Sequence, residues 1–142
     1  MTERTEMTPD AAPPDRPPDR PQDRPQGPRF RLRLDYGAGQ MIGPGKAELM
    51  ERIHRTGSIA AAGREMGMSY KRAWQLVEVL NSMFAEELVL SSRGGAKGGG
   101  ATLTATGQEV LAAYRDIEAA ALEAAGPGLA RLQALRDIPD GK

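Results

Sequence analysis

The segment that most constrains the fold spans residues 57–84 and has the sequence GSIAAAGREMGMSYKRAWQLVEVLNSMF. Its apolar residues recur at helical spacing in two blocks. Each block follows a serine, Ser58 or Ser69, that can cap a helix by accepting a backbone hydrogen bond. Gly63 in the first block allows the second to cross closely, and Gly67 in the connection can adopt a positive φ. The sequence therefore predicts two helices joined by a tight turn.

The second of these helices is predicted to be amphipathic with a basic opening turn. On a wheel of about 100° per residue, its apolar residues form one stripe. Lys71 and Gln75 lie opposite the stripe, flanked by Tyr70, Arg72 and Trp74. Cations and hydrogen-bonding side chains on the first turns are what a helix needs if it enters a DNA major groove. The alternative is an ordinary helical hairpin with a solvated basic face.

Composition narrows the function further. The chain has no cysteine and one histidine, His54, so we expect neither a disulfide framework, a metal centre nor a histidine-based catalytic dyad. Formal net charge is zero, but residues 29–115 carry twelve basic and eight acidic side chains, which favours a nucleic-acid partner. No apolar run has transmembrane length. We therefore expect a non-enzymatic cytoplasmic protein, associated with the nucleoid and without a membrane partner.

The N-terminal tail, residues 1–28, holds eight of the eleven prolines and the near-repeat PPDRPPDRPQDRPQ. Proline at this density blocks helices and sheet ladders, and few apolar residues are present to offset the entropy of ordering. The composition predicts a disordered, partly polyproline-like tail. Its role is either an interaction arm or a dispensable solvating extension.

The segment after the tail predicts a strand and then a first helix. Phe30, Leu32, Leu34 and Tyr36 alternate with charged residues, which is typical of a half-buried strand. A glycine-rich loop is predicted over residues 37–45. Residues 46–56 have the apolar spacing of a helix, and Gly57 is suited to ending it.

A glycine-rich hairpin is predicted downstream of the two-helix segment. Residues 86–92 predict a strand with Leu88 and Leu90 on one face and Val89 on the other, and residues 101–104 predict the returning strand. The cations Arg93 and Lys97 lie at the tip and would attract phosphates. The tip glycines, which allow the backbone to approach DNA closely, are Gly94, Gly95, Gly98, Gly99 and Gly100.

Such a hairpin directly after a helix-turn-helix is a wing, but two other interpretations remain. A nucleotide-binding phosphate loop would need the spacing G-x-x-x-x-G-K-[ST], which is missing here. A plain mobile loop is the other alternative, since glycine-rich segments are commonly flexible. The order of the neighbouring elements favours the wing.

A long helix is predicted from Thr104, capped by Thr104 or Thr106 and ended by the glycine–proline–glycine run at residues 126–128. Its apolar face exceeds what a small domain needs for its own core, so we predict a homodimer helix. Packing back onto residues 30–36 is the compatible alternative. The predicted dimerisation residues are Val110, Leu111, Tyr114, Ile117, Ala121 and Leu122.

Three motifs in this order resemble a known family. They are GSIAAAGREMGMSYKRAW at residues 57–74, GGAKGGGATLT at residues 94–104 and TGQ at residues 106–108. The sequence resembles the N-terminal DNA-binding domain of ModE-type regulators, the molybdate-responsive regulators of bacteria, and more distantly the winged domain of LysR-type regulators. The resemblance implies an α+β, mostly helical, winged helix-turn-helix with an N-terminal strand and a long C-terminal dimerisation helix.

The resemblance also implies which residues contact double-stranded DNA. In the family the recognition helix begins at the serine of SYK, and the wing supplies further contacts, with Trp74 as a positioning residue packed beside the helix. Together with Gln75 from the helical wheel, the predicted DNA-binding residues are Ser69, Tyr70, Lys71, Arg72, Gln75, Arg93 and Lys97.

One departure from the family affects the functional prediction. ModE-type regulators generally continue into oxyanion-binding domains, whereas this sequence stops near the end of the dimer helix. We therefore predict a tail at residues 1–28, a winged domain with its dimer helix at 29–125 and a short extension at 126–142. We expect no cofactor, no molybdate binding by this chain alone and a separate oxyanion sensor protein. The alternative function is a protein-interaction or dimerisation platform.

Overall fold

The computed structural model describes residues 28–95 and 98–136, so the predicted proline-rich tail up to residue 27 and Lys97 at the wing tip lie outside the described residues. The elements in chain order are β1 (Leu34–Asp35), β2 (Met41–Ile42), α1 (Pro44–Thr56), α2 (Ile59–Glu65), α3 (Tyr70–Met83), β3 (Val89–Gly95), β4 (Gly98–Leu103) and α4 (Ala105–Leu135). Four helices with two small antiparallel sheets confirm the predicted α+β, mostly helical fold class.

The N-terminal strand is shorter than the prediction. β1 pairs antiparallel with β2, although Met41 and Ile42 were predicted to lie in a loop. The connecting turn is closed by a 2.8 Å hydrogen bond from the Tyr36 N–H to the Gln40 carbonyl. Leu32 and Leu34 pack against the core as the alternation indicated. The alternating pattern therefore predicted burial correctly, but it carried no information on where a ladder partner would lie.

The two-helix segment is confirmed as α2 and α3. The Ser58 hydroxyl accepts a 3.0 Å hydrogen bond from the Ala61 N–H at the start of α2, and the Ser69 hydroxyl accepts one of 3.0 Å from the Arg72 N–H at the start of α3. Gly67 in the turn has φ +76°. A Cβ added at Gly63 would lie 2.8 Å from the Ala73 Cβ, so a glycine is required where α2 and α3 cross.

The core forms where the three short helices meet the base of the hairpin and the first half of α4. α1 spans two residues more at its start than predicted, because Pro44 suits the first helical position. α4 contributes Tyr114, which is 2% exposed. The largest fully buried side chains are Tyr114, Ile42, Leu49, Met50, Ile53, Leu80, Leu88 and Val77.

The predicted faces of the first wing strand were wrong. Leu88 and Val89 are both buried, whereas Leu90 is 51% exposed. Leu88 lies before β3 in a turn, so the two-residue alternation begins only at Val89. The two wing strands are antiparallel, with Val89 opposite Leu103 and Ser92 opposite Gly100.

Thr104, and not Thr106, caps α4. The Thr104 hydroxyl accepts a 2.9 Å hydrogen bond from the Gly107 N–H and donates one of 2.7 Å to the Glu87 carbonyl. The Thr106 hydroxyl instead bonds to the carboxylate of Glu86. The cap therefore also links the start of α4 to the segment just before β3.

The predicted end of α4 at residues 126–128 was wrong, because the helix continues through Pro127 to Leu135. A proline removes one backbone donor and disturbs only the turn before it. The flanking segments are rich in alanine and leucine, which have high helix propensity. This part of α4 is largely exposed, so water can bond to the carbonyl groups that the proline leaves free.

Candidate nucleic-acid interface

The opening turns of α3 present one exposed polar face. Tyr70 is 57% exposed, and Lys71, Arg72 and Gln75 are also exposed. The opposite side of the same helix is anchored by three fully buried residues, which are Ala73, Val77 and Leu80. The predicted DNA-contact residues of α3, including its cap Ser69, therefore lie together on an accessible face of a fixed helix.

Trp74 is half-buried and packs against the core. Its ring stacks on that of Tyr70, with centroids 6.3 Å apart and ring planes 16° from parallel. The stack restricts the exposed Tyr70 side chain without covering it. Tyr70 is thereby held beside Lys71 on the outer face of α3.

The base of the wing is attached to the helix-turn-helix. The Ala101 N–H in β4 donates a 2.9 Å hydrogen bond to the carbonyl of Gly57, which links α1 to α2. A Cβ added at Gly100 would lie 3.4 Å from the same carbonyl oxygen, which is van der Waals contact, so β4 runs close beside this link. The remaining predicted wing glycines, which lie in the two strands, are Gly94, Gly95, Gly98 and Gly99. The backbone of Arg93 lies in β3.

The sequence pattern did not predict the role of Asn81. Its carboxamide oxygen accepts hydrogen bonds from the N–H groups of Leu88 (2.8 Å) and Val89 (2.9 Å), and its amide donates one of 3.0 Å to the Val89 carbonyl. Asn81 therefore joins the end of α3 directly to the start of β3. The available signal was its position four residues after Val77, which puts an amide on the buried side of the helix.

A cationic cavity beside α3 was also missed. It measures about 410 Å³, and Arg31, Arg33, Lys46 and Arg72 line it. Lys46 is only 8% exposed. Burial lowers the pKa of its ammonium group, and the positive charges of Arg72 and Arg33 lower that pKa further. These four cations come from three separate segments, so sequence spacing alone could not group them.

The predicted dimerisation residues divide into two groups along α4. Tyr114 belongs to the core of its own chain, and its hydroxyl donates a 2.7 Å hydrogen bond to the Leu32 carbonyl. Val110 and Leu111 pack against the same core, which matches the intramolecular alternative. Ile117 and Leu122 are 44% and 46% exposed. The outer part of the predicted surface, which also includes Ala121, therefore stays accessible to a second chain.

These elements define a winged helix-turn-helix, a class of DNA-binding domain. Residues 46–108 match the family model described as the bacterial regulatory helix-turn-helix protein of the LysR family. This match supports the interpretation that the chain is not an enzyme, since the family is regulatory. Within residues 28–95 and 98–136, no helix is long and apolar enough to cross a membrane.

Known proteins with similar sequences are linked to molybdenum or to transcription. The molybdenum-pterin-binding protein MopB of Rhodobacter capsulatus is 47% identical over 81 residues, which are 57% of this chain and 30% of MopB. MopA of the same organism is 40% identical over 95 residues, 67% of this chain and 36% of MopA. The DNA-binding transcriptional dual regulator ModE of Escherichia coli K12 is 37% identical over 71 residues, 50% of this chain and 27% of ModE.

The chain thus spans about a third of the length of the relatives it matches. Over that shared region the predicted resemblance to ModE-type regulators is confirmed, and the elements have the order of a winged helix-turn-helix fold. The individual DNA contacts stay predictions.

Proposed function

We propose that this chain is a sequence-specific DNA-binding transcriptional regulator that works as a homodimer. The opening turns of α3 enter the major groove, where Lys71, Arg72 and Gln75 can hydrogen-bond to base edges. The wing lies on the backbone or in the minor groove. The observation that carries the proposal is the accessible polar face of α3 on a helix whose other side is buried.

The molybdenum-related names of the relatives support a regulated process connected with molybdenum. We place the protein in the cytoplasm, at the nucleoid where its DNA lies. The expectations that this chain alone does not bind molybdate, and that a separate protein senses the oxyanion, stay predictions.

Selection from genomic DNA tests the proposal. The full chain is mixed with genomic fragments, the bound fragments are sequenced, and affinity for the selected duplex and a scrambled one is measured by fluorescence anisotropy at two salt concentrations. We expect one enriched sequence with two related half-sites and an affinity that falls as salt rises. A set of fragments without any enriched sequence would contradict sequence-specific regulation.

Lys97→Ala distinguishes the contribution of the wing to DNA affinity from that of the recognition helix. Lys97→Ala should weaken binding to both duplexes alike and reduce the salt slope by about 0.9, because one phosphate contact is lost. Arg131→Ala, which removes an exposed cation from α4, is the matched control and should change neither quantity. The alternative function is a protein-interaction or dimerisation platform. It would be supported by a stoichiometric protein partner that still binds after Lys71→Ala and Arg72→Ala.

A further inference from the structure

The cationic cavity combines several groups that attract an anion. It opens between the start of α1, the turn before α3 and the first turns of α3. The charged side chains in its lining are Arg31, Arg33, Lys46 and Arg72, and its apolar wall includes Met66 and Met68. Among the described residues that line it, four are cations and none carries a carboxylate. A positive cavity with apolar walls concentrates the field of its charges.

Lys46 is the buried cation of this cavity. It is 8% exposed, and within the described part of the chain its ammonium group has neither an ion pair nor a hydrogen bond. Burying an unpaired ammonium group is costly. Burial lowers its pKa, and the positive charges of Arg72 and Arg33 repel it and lower that pKa further. Within residues 28–95 and 98–136, no negative side chain compensates the positive charge of Lys46 in this cavity.

The start of α1 adds backbone donors to the same cavity. Gly43 caps the helix without a side-chain hydrogen bond, and the first turn has no acidic residue. Among the residues described, no carbonyl accepts from the N–H groups of Gly45 or Lys46. Free N–H groups and the helix dipole together favour an anion at a helix N-terminus. The side chain of Lys46 and the start of α1 thus each indicate, independently, a negatively charged ligand.

We propose that this cavity binds a tetrahedral oxyanion of the phosphate class, with Lys46 as its main charge partner and Arg33 and Arg72 as further donors. Two sources can supply such an anion: a backbone phosphate of the duplex beside α3, or a free inorganic oxyanion. Only the first source rests on the proposed DNA-binding function. Arg72 lies in the first turn of α3, so occupancy of the cavity would couple directly to the recognition face.

Thermal unfolding of the full chain in phosphate and in chloride, at equal ionic strength and pH, tests the free anion. We expect phosphate to raise the Tm of the wild type clearly more than that of Lys46→Met, which keeps the apolar stem, removes the charge and retains only the general stabilising effect of phosphate. Without phosphate, Lys46→Met should melt at or above the wild-type temperature, since an unpaired buried charge is gone. Arg131→Met is the matched control and should keep the full phosphate response.

Anisotropy titrations with duplex DNA test the backbone phosphate. If the duplex supplies the anion, Lys46→Met should bind a selected and a scrambled duplex about tenfold or more weakly. Its salt slope should also be smaller by about 0.9. Arg33 is an exposed residue of the same cavity. Arg33→Gln should also lower the DNA affinity and the salt slope, and it replaces Lys46→Met as the test if that variant does not fold.

The two measurements give distinct outcomes. A change in DNA affinity assigns the site to the duplex, and a phosphate response without such a change assigns it to a free oxyanion. If neither Lys46→Met nor Arg33→Gln alters either quantity while the wild type binds DNA, the inference is overturned and the proposed function stands. If the wild type binds no DNA, the phosphate titration still tests the site.

Discussion

At the scale of single residues, Asn81 connects the two parts of the proposed DNA-binding surface. Its three hydrogen bonds satisfy backbone groups of Leu88 and Val89 at the start of β3. Asn81 itself lies near the end of α3, so β3 begins at a fixed position relative to α3. Buried backbone groups that lose such partners are costly, which makes this side chain a sensitive point.

Replacing Asn81 tests this connection. We expect Asn81→Ala to lower the free energy of unfolding by about 2–3 kcal/mol, because three backbone groups lose their partner. Amide hydrogen exchange in residues 88–103 should also accelerate. Asn81→Asp keeps the two accepting interactions and should recover part of the stability in a denaturant titration. Equal stability of Asn81→Ala and the wild type would show that the hydrogen bonds of Asn81 contribute nothing to the free energy of unfolding.

How far sequence predicts a residue's role depends on where its partners lie. The caps Ser58 and Ser69 were predicted correctly because a cap bonds to a backbone group three residues away. The burial of Lys46 was not predicted, since it depends on Arg33 and Arg72, which are distant in sequence. The exposed face of α3 could be predicted from sequence for the same reason as the caps, because all its residues lie on one helix and their spacing fixes their positions.

At the scale of elements, the glycine with the least room for a side chain, among those described, is where α4 meets the segment before β3. A Cβ added at Gly107 would overlap the carbonyl group of Leu88. The same carbonyl accepts a 2.9 Å hydrogen bond from the Thr104 N–H. The glycine of the TGQ motif is therefore explained by packing, since only a residue without a side chain lets α4 cross this turn.

Gly107→Ala should be strongly destabilising. The methyl group would meet backbone atoms that cannot move independently, so we expect a loss of about 3 kcal/mol or more in the free energy of unfolding. Gly128→Ala is the matched control on the same helix, where a Cβ meets nothing within 4 Å. It should gain roughly 0.5–1 kcal/mol through helix propensity. Similar melting temperatures for the two variants would contradict this account of the junction.

Element ends were harder to predict than elements. The hydrophobic period predicted all four helices, but the end of α4 was misplaced at residues 126–128. A glycine–proline–glycine run usually ends a helix, and here the propensity of the segments on both sides outweighs the cost of one lost donor. In the hairpin, local pattern could not indicate that Asn81 holds Leu88 outside the strand.

At the scale of the whole molecule, the exposed apolar residues of α4 determine how two copies would meet. Tyr114 is buried in the core of its own chain, whereas Ile117 and Leu122 are about half exposed. A regulator that binds two half-sites needs two domains at a fixed separation. We therefore expect the second chain to pack on this outer stretch of α4.

Sedimentation velocity with Ile117→Glu tests the dimer. The charge cannot be buried between two chains without a partner, so the variant should sediment as a monomer while the wild type sediments as a dimer. Thermal stability of the isolated fold should change little, since Ile117 is 44% exposed. Ala112→Glu, an exposed position five residues earlier and about 140° around the helix from Ile117, is the control and should remain dimeric. Identical sedimentation of the wild type and Ile117→Glu would contradict the α4 interface.

The central claim is that the opening turns of α3 bind DNA, and Lys71 tests it most directly because it is exposed and outside the core. The measurement is the affinity of Lys71→Ala for the selected duplex, with Arg131→Ala as the charge-matched control. We expect a loss of about tenfold or more for Lys71→Ala, the value of one good base contact, and no change for Arg131→Ala. Unchanged affinity in a folded Lys71→Ala protein would contradict the claim.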